Sequence, residues 1–289
     1  MTSATDSASA ISPLPTAPRL IATDLDGTLL RDDKSVSDRT VAALAAAEQA
    51  GIEVFFVTGR PARWMDVVSA HVHGHGLAIC GNGAAVVDLH GDSNGPRFVK
   101  VRPLEGPAAR DVVTLLRAAV PGTSFAVERT GGFHHELAYP PMHFDPAASV
   151  ASAEKLLSED ADAAGQPVLK VLAFHPELAP DDFLALARTA VGARAEITRS
   201  SPTTLLEISG AGVSKASTLA LCCAERGISP TEVVAFGDMP NDMEMLSWAG
   251  TSYAMGNAHP DVLATASGRT AANNEDGVAV VIEQILKAV

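Results

Sequence analysis

Leu20-Ile21-Ala22-Thr23-Asp24-Leu25-Asp26-Gly27-Thr28-Leu29-Leu30 is the segment from which the rest of the chain is best read. Its short apolar run has the pattern of a buried parallel strand. It then delivers two carboxylates, one residue apart, onto a turn marked by Gly27. Within a strand, alternate residues share a face, so Asp24 and Asp26 would point the same way. Past the strand's end they would converge on one cation or one reacting atom. Two acids so close repel each other unless a metal, a shared proton or a cationic side chain offsets them. Alone, Asp-x-Asp-Gly is also an ordinary turn. It is not an EF-hand loop, because the twelfth position from Asp24 is Ser35 and not Glu.

The 289 residues suffice for two domains, or for one domain carrying a large insertion. Apolar residues make up 47% and aromatics only 4%, so the core must lean on Ala, Val and Leu. A formal charge of −13 argues against nucleic acid or an anionic membrane as partner. A phosphorylated substrate would then have to be attracted locally, by a metal or a few cations. Cys80, Cys222 and Cys223 form no metal-binding spacing, and their odd number suits buried thiols in a reducing cytoplasm. No apolar run is long enough to span a membrane. Residues 1–18 lack a basic start and an apolar stretch, and they read as a disordered leader and not a secretory signal.

Beyond the opening strand, Ser37 announces a helix that Gly51 ends, and 52–57 forms a second buried strand running into Thr58-Gly59-Arg60-Pro61. A helix over 62–70 and a strand over 77–80 follow, ending on Gly81-Asn82-Gly83. Strands alternating with helices indicate a doubly wound parallel α/β sheet, in which ligands bind beyond the carboxyl ends of the strands. The pattern then changes. Residues 84–88 and 97–101 read as a hairpin, followed by a helix over 107–120, strands over 125–127 and 134–138, and a helix over 147–160. A strand over 168–174, a helix over 181–191 and strands over 196–198 and 205–208 complete an inserted α+β unit with an antiparallel sheet. The division expected is a core of 19–84 and 203–289 around an insertion of 85–202. From Gly210 the first pattern resumes, with Lys215 opening a helix and a strand over 232–236 running into Gly237-Asp238-Met239-Pro240-Asn241-Asp242.

Four features therefore sit at strand ends or on a facing helix start: Asp24 with Asp26, Thr58-Gly59-Arg60, Lys215, and Asp238 with Asn241 and Asp242. Each has an ordinary reading, Thr58 as a strand end, Asp238 as a helix cap and Asp242 as a solvated helix residue. Lys215 is the hardest to dismiss. A cation at a helix N-terminus opposes the macrodipole, and a carboxylate or phosphate partner would remove the conflict. Together the acids suit a hard divalent ion, with Lys215 and Thr58 holding an anionic group beside it.

This ordered set, Asp-Leu-Asp-Gly-Thr-Leu, Thr-Gly-Arg, a helix-start lysine and Gly-Asp-x-x-Asn-Asp, resembles the haloacid dehalogenase-like phosphohydrolases. The inserted α+β unit resembles the type C2B cap. Gly81-Asn82-Gly83-Ala84, Ala254-Met255-Gly256-Asn257-Ala258 and Asn274-Glu275-Asp276-Gly277-Val278 are similar to the Cof-type sugar phosphatase branch. The resemblance covers residues 20–289 and implies a Rossmann-like core with that cap. It further implies Asp24 as the nucleophile and Asp26 as the acid and base, with a carboxyl pushed upward by its neighbour. Mg²⁺ would be held by Asp24, the Asp26 backbone carbonyl and Asp238, with Asp242 at the metal water or at Lys215. Thr58 and Lys215 would bind the phosphoryl group, with Gly59, Arg60, Asn82 and Asn241 on the substrate side. The branch usually has glycine after the motif lysine, where this chain has Ala216.

The expectation is thus a cytoplasmic Mg²⁺-dependent phosphatase of small phosphorylated metabolites, sugar phosphates foremost, as a monomer or homodimer. Alternatives are a phosphomutase of the same superfamily and a non-catalytic metabolite-binding relative. A response-regulator receiver also places Asp, Thr and Lys around Mg²⁺, but it is shorter and uncapped. Arg129, His134, His135 and His143 are the cap residues expected to bear on substrate choice, with plain surface groups as the competing reading. The run His71-x-His73-x-His75 has zinc-like spacing, but its glycines favour a solvated turn.

Overall fold

A computed structural model describes residues 17–69, 76–90, 97–141 and 146–288. Most of the expected leader, the run His71, His73 and His75, the hairpin tip 91–96 and His143 lie outside the described residues.

The chain opens with β1 (Leu20–Thr23), α1 (Asp38–Gln49) and β2 (Glu53–Val57), and β1 and β2 pair in parallel. Ser37 starts α1 by accepting the Thr40 amide, and Gly51 just past its end adopts φ +82°, open to glycine at little cost. Where a helix over 62–70 was expected there is a 3₁₀ turn and then the single-turn α2 (Asp66–Ser69). No side chain caps the start of that segment, and Val67 and Val68 are weak helix formers. Then come β3 (Leu77–Cys80), β4 (Ala85–Asp88) and β5 (Arg97–Val101).

Next follow α3 (Gly106–Ala119), β6 (Ser124–Arg129), β7 (Gly132–His135) and α4 (Ala153–Leu156). The expected helix over 147–160 shrinks to α4 because Ser152 takes the N-cap, with its side chain on the Lys155 amide. The segment continues through β8 (Val168–Phe174), α5 (Pro180–Val191), β9 (Ala195–Thr198) and β10 (Leu205–Gly210). The last stretch is α6 (Lys215–Glu225), β11 (Val233–Gly237), α7 (Met243–Trp248), β12 (Thr251–Ala254), α8 (Pro260–Thr265), β13 (Gly268–Arg269) and α9 (Gly277–Ala288).

Two sheets result. The larger has the order β13-β12-β11-β1-β2-β3-β4-β5, parallel up to β3 and antiparallel at β4 and β5. The smaller, β7-β6-β8-β10-β9, is antiparallel throughout. Both boundaries expected for the insertion shift. The hairpin of β4 and β5 extends the larger sheet, because β4 turns straight back along β3. β10 belongs to the smaller sheet, where the strand over 205–208 was read, so the insertion runs past residue 202. Each sheet has its own apolar core, one around Phe55, Phe236 and Ile282 and the other around Phe125, Phe183 and Leu206.

Strand order runs outward from β1 in both directions, through β2 and β3 on one side and β11 and β12 on the other. Such a reversal leaves a crevice beyond the carboxyl ends of the central strands, where doubly wound sheets take their ligands. In the smaller sheet, Val171 and Ala173 join the apolar core with Val113 and Phe183 of α3 and α5. The alternate residues Lys170 and Leu172 line the crevice instead, as period-two alternation requires.

Candidate active site

The acids sit where β1 and β11 end. Asp24 donates its amide to the Phe236 carbonyl (3.1 Å), and the Leu29 amide closes back onto the Asp24 carbonyl (3.3 Å). Gly27 is at φ +78°, and a Cβ there would lie 2.3 Å from Asp238 Oδ2. Only glycine lets the Asp238 carboxylate close over this turn. Thr28 fixes that carboxylate with a hydroxyl bond of 2.9 Å to its Oδ1.

Ser214 caps α6 and accepts the Ser217 amide, which sets Lys215 as the first helical residue. The Lys215 ammonium is buried and donates to Asp24 Oδ1 and Asp242 Oδ1, at 2.6 Å each. The unfavourable place of a cation at a helix start is thus offset by two carboxylates. Asp242 turns its other oxygen to the amides of Asp238 and Met239, both at 3.0 Å. Oxygens of Asp24, Asp238 and Asp242 lie within 4.8 Å of one another.

Three acids against one lysine leave an excess of negative charge. Burial, followed by the nearby Asp242 and Asp238, drives the Asp24 carboxyl well above the ordinary range against the pull of Lys215. Burial and Asp242 push Asp238 up to about 7, outweighing Thr28 and Lys215. For Lys215, burial favours the neutral amine, but Asp24 and Asp242 dominate and hold it protonated above its usual range.

Asp26 departs from expectation. Its carboxylate does not join Asp24 but turns to Arg60, with contacts of 2.6 and 2.7 Å, and to the Lys34 ammonium at 2.9 Å. Burial raises this carboxyl, but the two cations outweigh burial and hold it below the usual range. The expected upward push is therefore reversed, because the nearest charges are basic and not acidic.

Thr58 is buried at the end of β2, and its hydroxyl oxygen accepts the Arg60 amide at 3.1 Å. Asn82 sits in the left-handed region (φ 55°) between two glycines of positive φ. Its Oδ1 accepts from the Asn241 side chain at 3.1 Å, and its amide nitrogen donates to Glu207. All ten sequence-derived positions therefore meet on one edge of the larger sheet. A cavity of about 430 Å³ opens there, bounded by Asp24, Asp26, Thr58, Gly59, Arg60, Asp238 and Asn241.

The smaller sheet and its loops close the cavity with residues the sequence reading passed over: Glu128, Phe133, Lys170, Ser200 and Glu207. For Glu128, Lys170 and Glu207 the signal was an acid or lysine inside an otherwise apolar strand, as in Val-Leu-Lys-Val-Leu. Arg129, His134 and His135 are not among the described residues lining it. Arg129 is buried and donates to the carbonyls of Gln166 and Leu156, His134 accepts the Ser149 amide, and His135 meets the Glu136 carbonyl. The three cysteines are buried free thiols, as expected.

A doubly wound sheet that gathers these motifs at its switch point, beneath a second antiparallel sheet, defines a class. The chain belongs to the haloacid dehalogenase-like hydrolases, whose family model matches residues 21–282. Within that family it is a phosphatase. It is 31% identical over 268 residues to the 5-amino-6-(5-phospho-D-ribitylamino)uracil phosphatase YitU of Bacillus subtilis, covering 91% of this chain and 96% of that protein. It is 31% identical over 249 residues to the HMP-PP phosphatase of Citrobacter koseri, covering 85% of this chain and 87% of that one. The subclass IIB sugar phosphatase BT4131 shares its fold, with a TM-score of 0.74 at 21% identity, over 94% of this chain and all of that one. Among the described residues no helix is long and apolar enough to cross a membrane.

Proposed function

We propose that this phosphatase hydrolyses monophosphate esters of small metabolites, sugar phosphates foremost, with Mg²⁺ as cofactor and through a phosphorylated Asp24. The observation that carries the reading is the buried Lys215 ammonium, 2.6 Å from both Asp24 and Asp242 in the acid cluster. The substrates named for the two relatives and the sugar phosphatase neighbour support a phosphorylated small metabolite. Free buried thiols accord with a cytoplasmic setting.

The donor set suits Mg²⁺. Hard carboxylate oxygens lie close together with too little positive charge beside them, and the raised Asp24 and Asp238 carboxyls register that shortage. Asp24, Asp238 and the Asp26 carbonyl would hold the ion, while both oxygens of Asp242 are already taken by Lys215 and two amides. Bound there, the ion supplies positive charge against the phosphoryl oxygens.

In the first displacement an Asp24 oxygen bonds to phosphorus, and the bond from phosphorus to the leaving oxygen breaks. Asp26 gives its proton to that oxygen, which departs as an alcohol. In the second, water attacks phosphorus, Asp26 takes the water's proton, and the bond to Asp24 breaks to release phosphate. Thr58 and Lys215 bind the phosphoryl oxygens, where charge stabilisation is the main catalytic effect. Asp26 must be protonated to act first, and its pairing with Arg60 and Lys34 opposes this. A phosphoryl group that draws those cations to itself would release the Asp26 carboxyl for its task.

The test is phosphate release from a panel of sugar phosphates and from p-nitrophenyl phosphate, with Mg²⁺ and with a chelator. Turnover that needs Mg²⁺ and disappears in Asp24→Asn is expected. Turnover that survives either change would refute the proposed chemistry.

A further inference from the structure

We propose that Lys170 and Glu207, on the smaller sheet, are positioning residues that set the phosphoryl-binding hydroxyl of Thr58 through a single peptide plane. This rests on the proposed phosphatase reading and adds two residues to it. Lys170 Nζ crosses from β8 to the loop after β2 and donates to the Gly59 carbonyl at 2.8 Å. That carbonyl and the Arg60 N–H are opposite ends of one rigid peptide unit. The Arg60 N–H in turn donates to Thr58 Oγ1 at 3.1 Å. Fixing the Gly59 oxygen thus fixes the amide that occupies a lone pair of the Thr58 oxygen. The Thr58 hydroxyl proton is left for a phosphoryl oxygen.

Glu207 holds Lys170 in place. Its Oε2 lies 3.3 Å from Lys170 Nζ and accepts from the Asn82 side chain, while its Oε1 accepts the Ser200 hydroxyl at 2.6 Å. Asn82 passes the contact on to Asn241 at 3.1 Å and donates its backbone N–H to the Thr58 carbonyl at 3.0 Å. One buried pair on the smaller sheet therefore touches two of the larger sheet's motif loops, those after β2 and β3. Gly59 eases the approach. A Cβ there would stand 3.2 Å from Asn82 Oδ1 and 3.3 Å from Glu207 Oε2. A lysine and a glutamate placed so deep (4% and 5% exposed) are costly for stability alone, which is why a positional role is the better account.

The variant is Lys170→Met/Glu207→Gln, which removes both buried charges together and so avoids leaving either unpaired. With p-nitrophenyl phosphate, whose small leaving group asks little of the smaller sheet, kcat should fall ~10–100-fold with KM within about threefold, the scale of a small misplacement. In a Thr58→Val background the same pair should cost less than about threefold more, since residues acting through one another are non-additive. Hydrogen exchange of the peptide containing Thr58–Arg60 should quicken in the variant. Should the double variant not fold, Ser200→Ala, which loosens Glu207 alone, should give the same kcat effect in smaller measure. An effect confined to KM, or full additivity with Thr58→Val, would overturn the inference and make the pair a substrate contact or a plain stabiliser. If the native enzyme shows no Mg²⁺-dependent turnover, the phosphatase reading itself fails. Unchanged exchange at 58–60 then refutes the positioning, and faster exchange upholds it.

Discussion

Lys215 is the buried cation that partly offsets the site's acids. Its ammonium faces Asp24 and Asp242 in a volume that admits little water, so removing it strands acids rather than merely deleting a contact. Lys215→Met is expected to destabilise the fold by ~3–5 kcal/mol, the range for breaking a buried ion pair from one side, and to abolish turnover. Asp24→Asn should abolish turnover too but leave stability unchanged or raised, because it removes one of three mutually repelling acids. Urea unfolding of the two variants separates the cases, and equal losses would show that the acids are not held by Lys215. At this scale the sequence was informative about identity and silent about direction. The helix-start lysine demanded an anionic partner and has two. The adjacency of Asp24 and Asp26 suggested a shared cation, yet the turn after Leu25 sends Asp26 to Arg60 and Lys34. Nothing local in the chain announces that pairing with Arg60, 34 positions away.

At the scale of elements, the approach of α6 to the loop after β3 decides where Lys215 can reach. Gly83 (φ +104°) makes it possible, for a Cβ there would fall 2.2 Å from the Ser214 carbonyl and 2.9 Å from the Thr218 hydroxyl. Thr218 Oγ1 donates to the Gly83 carbonyl at 2.8 Å, tying helix to loop. Gly83→Ala should therefore cost ~2–4 kcal/mol, combining backbone strain with overpacking, and lower kcat as Lys215 shifts. A melting curve unchanged within a degree or two would refute the close-approach argument. Elements with strong local signals were readable in advance. The strand over 168–174, the Ser37 cap and the helix opened by Lys215 depend on alternation, capping and an apolar stripe, all of them local. Sheet membership is not local. The hairpin of β4 and β5 carries the same alternation whether it extends the larger sheet or begins the smaller one. Lys170 and Glu207 were missed for a related reason. A single charge in an apolar strand reads as noise until the partner strand and the loop opposite are in place.

For the whole molecule, the excess of acid at the centre makes stability depend on pH and metal together. Asp238 rises from an ordinary 3.8 to about 7 in the metal-free fold. A carboxyl whose pKa is raised by folding contributes stability that is complete below its unfolded value and is lost as pH climbs through the folded value. The metal-free enzyme should accordingly melt at a lower temperature at pH 8 than at pH 6. Mg²⁺ has to displace that proton, so it binds more weakly at pH 6, and its stabilising effect should be the larger at pH 8. At a hundredfold excess over Kd the gain is ~2.7 kcal/mol, enough to raise the melting temperature by several degrees. Thermal melts at both pH values, each with Mg²⁺ and with EDTA, provide the comparison. Native chain and Asp238→Asn should be run side by side, since the variant removes both the titration and a ligand. A Mg²⁺ shift equal at the two pH values, or one that survives in Asp238→Asn, would place the metal elsewhere and detach the acid cluster from the chemistry proposed for it.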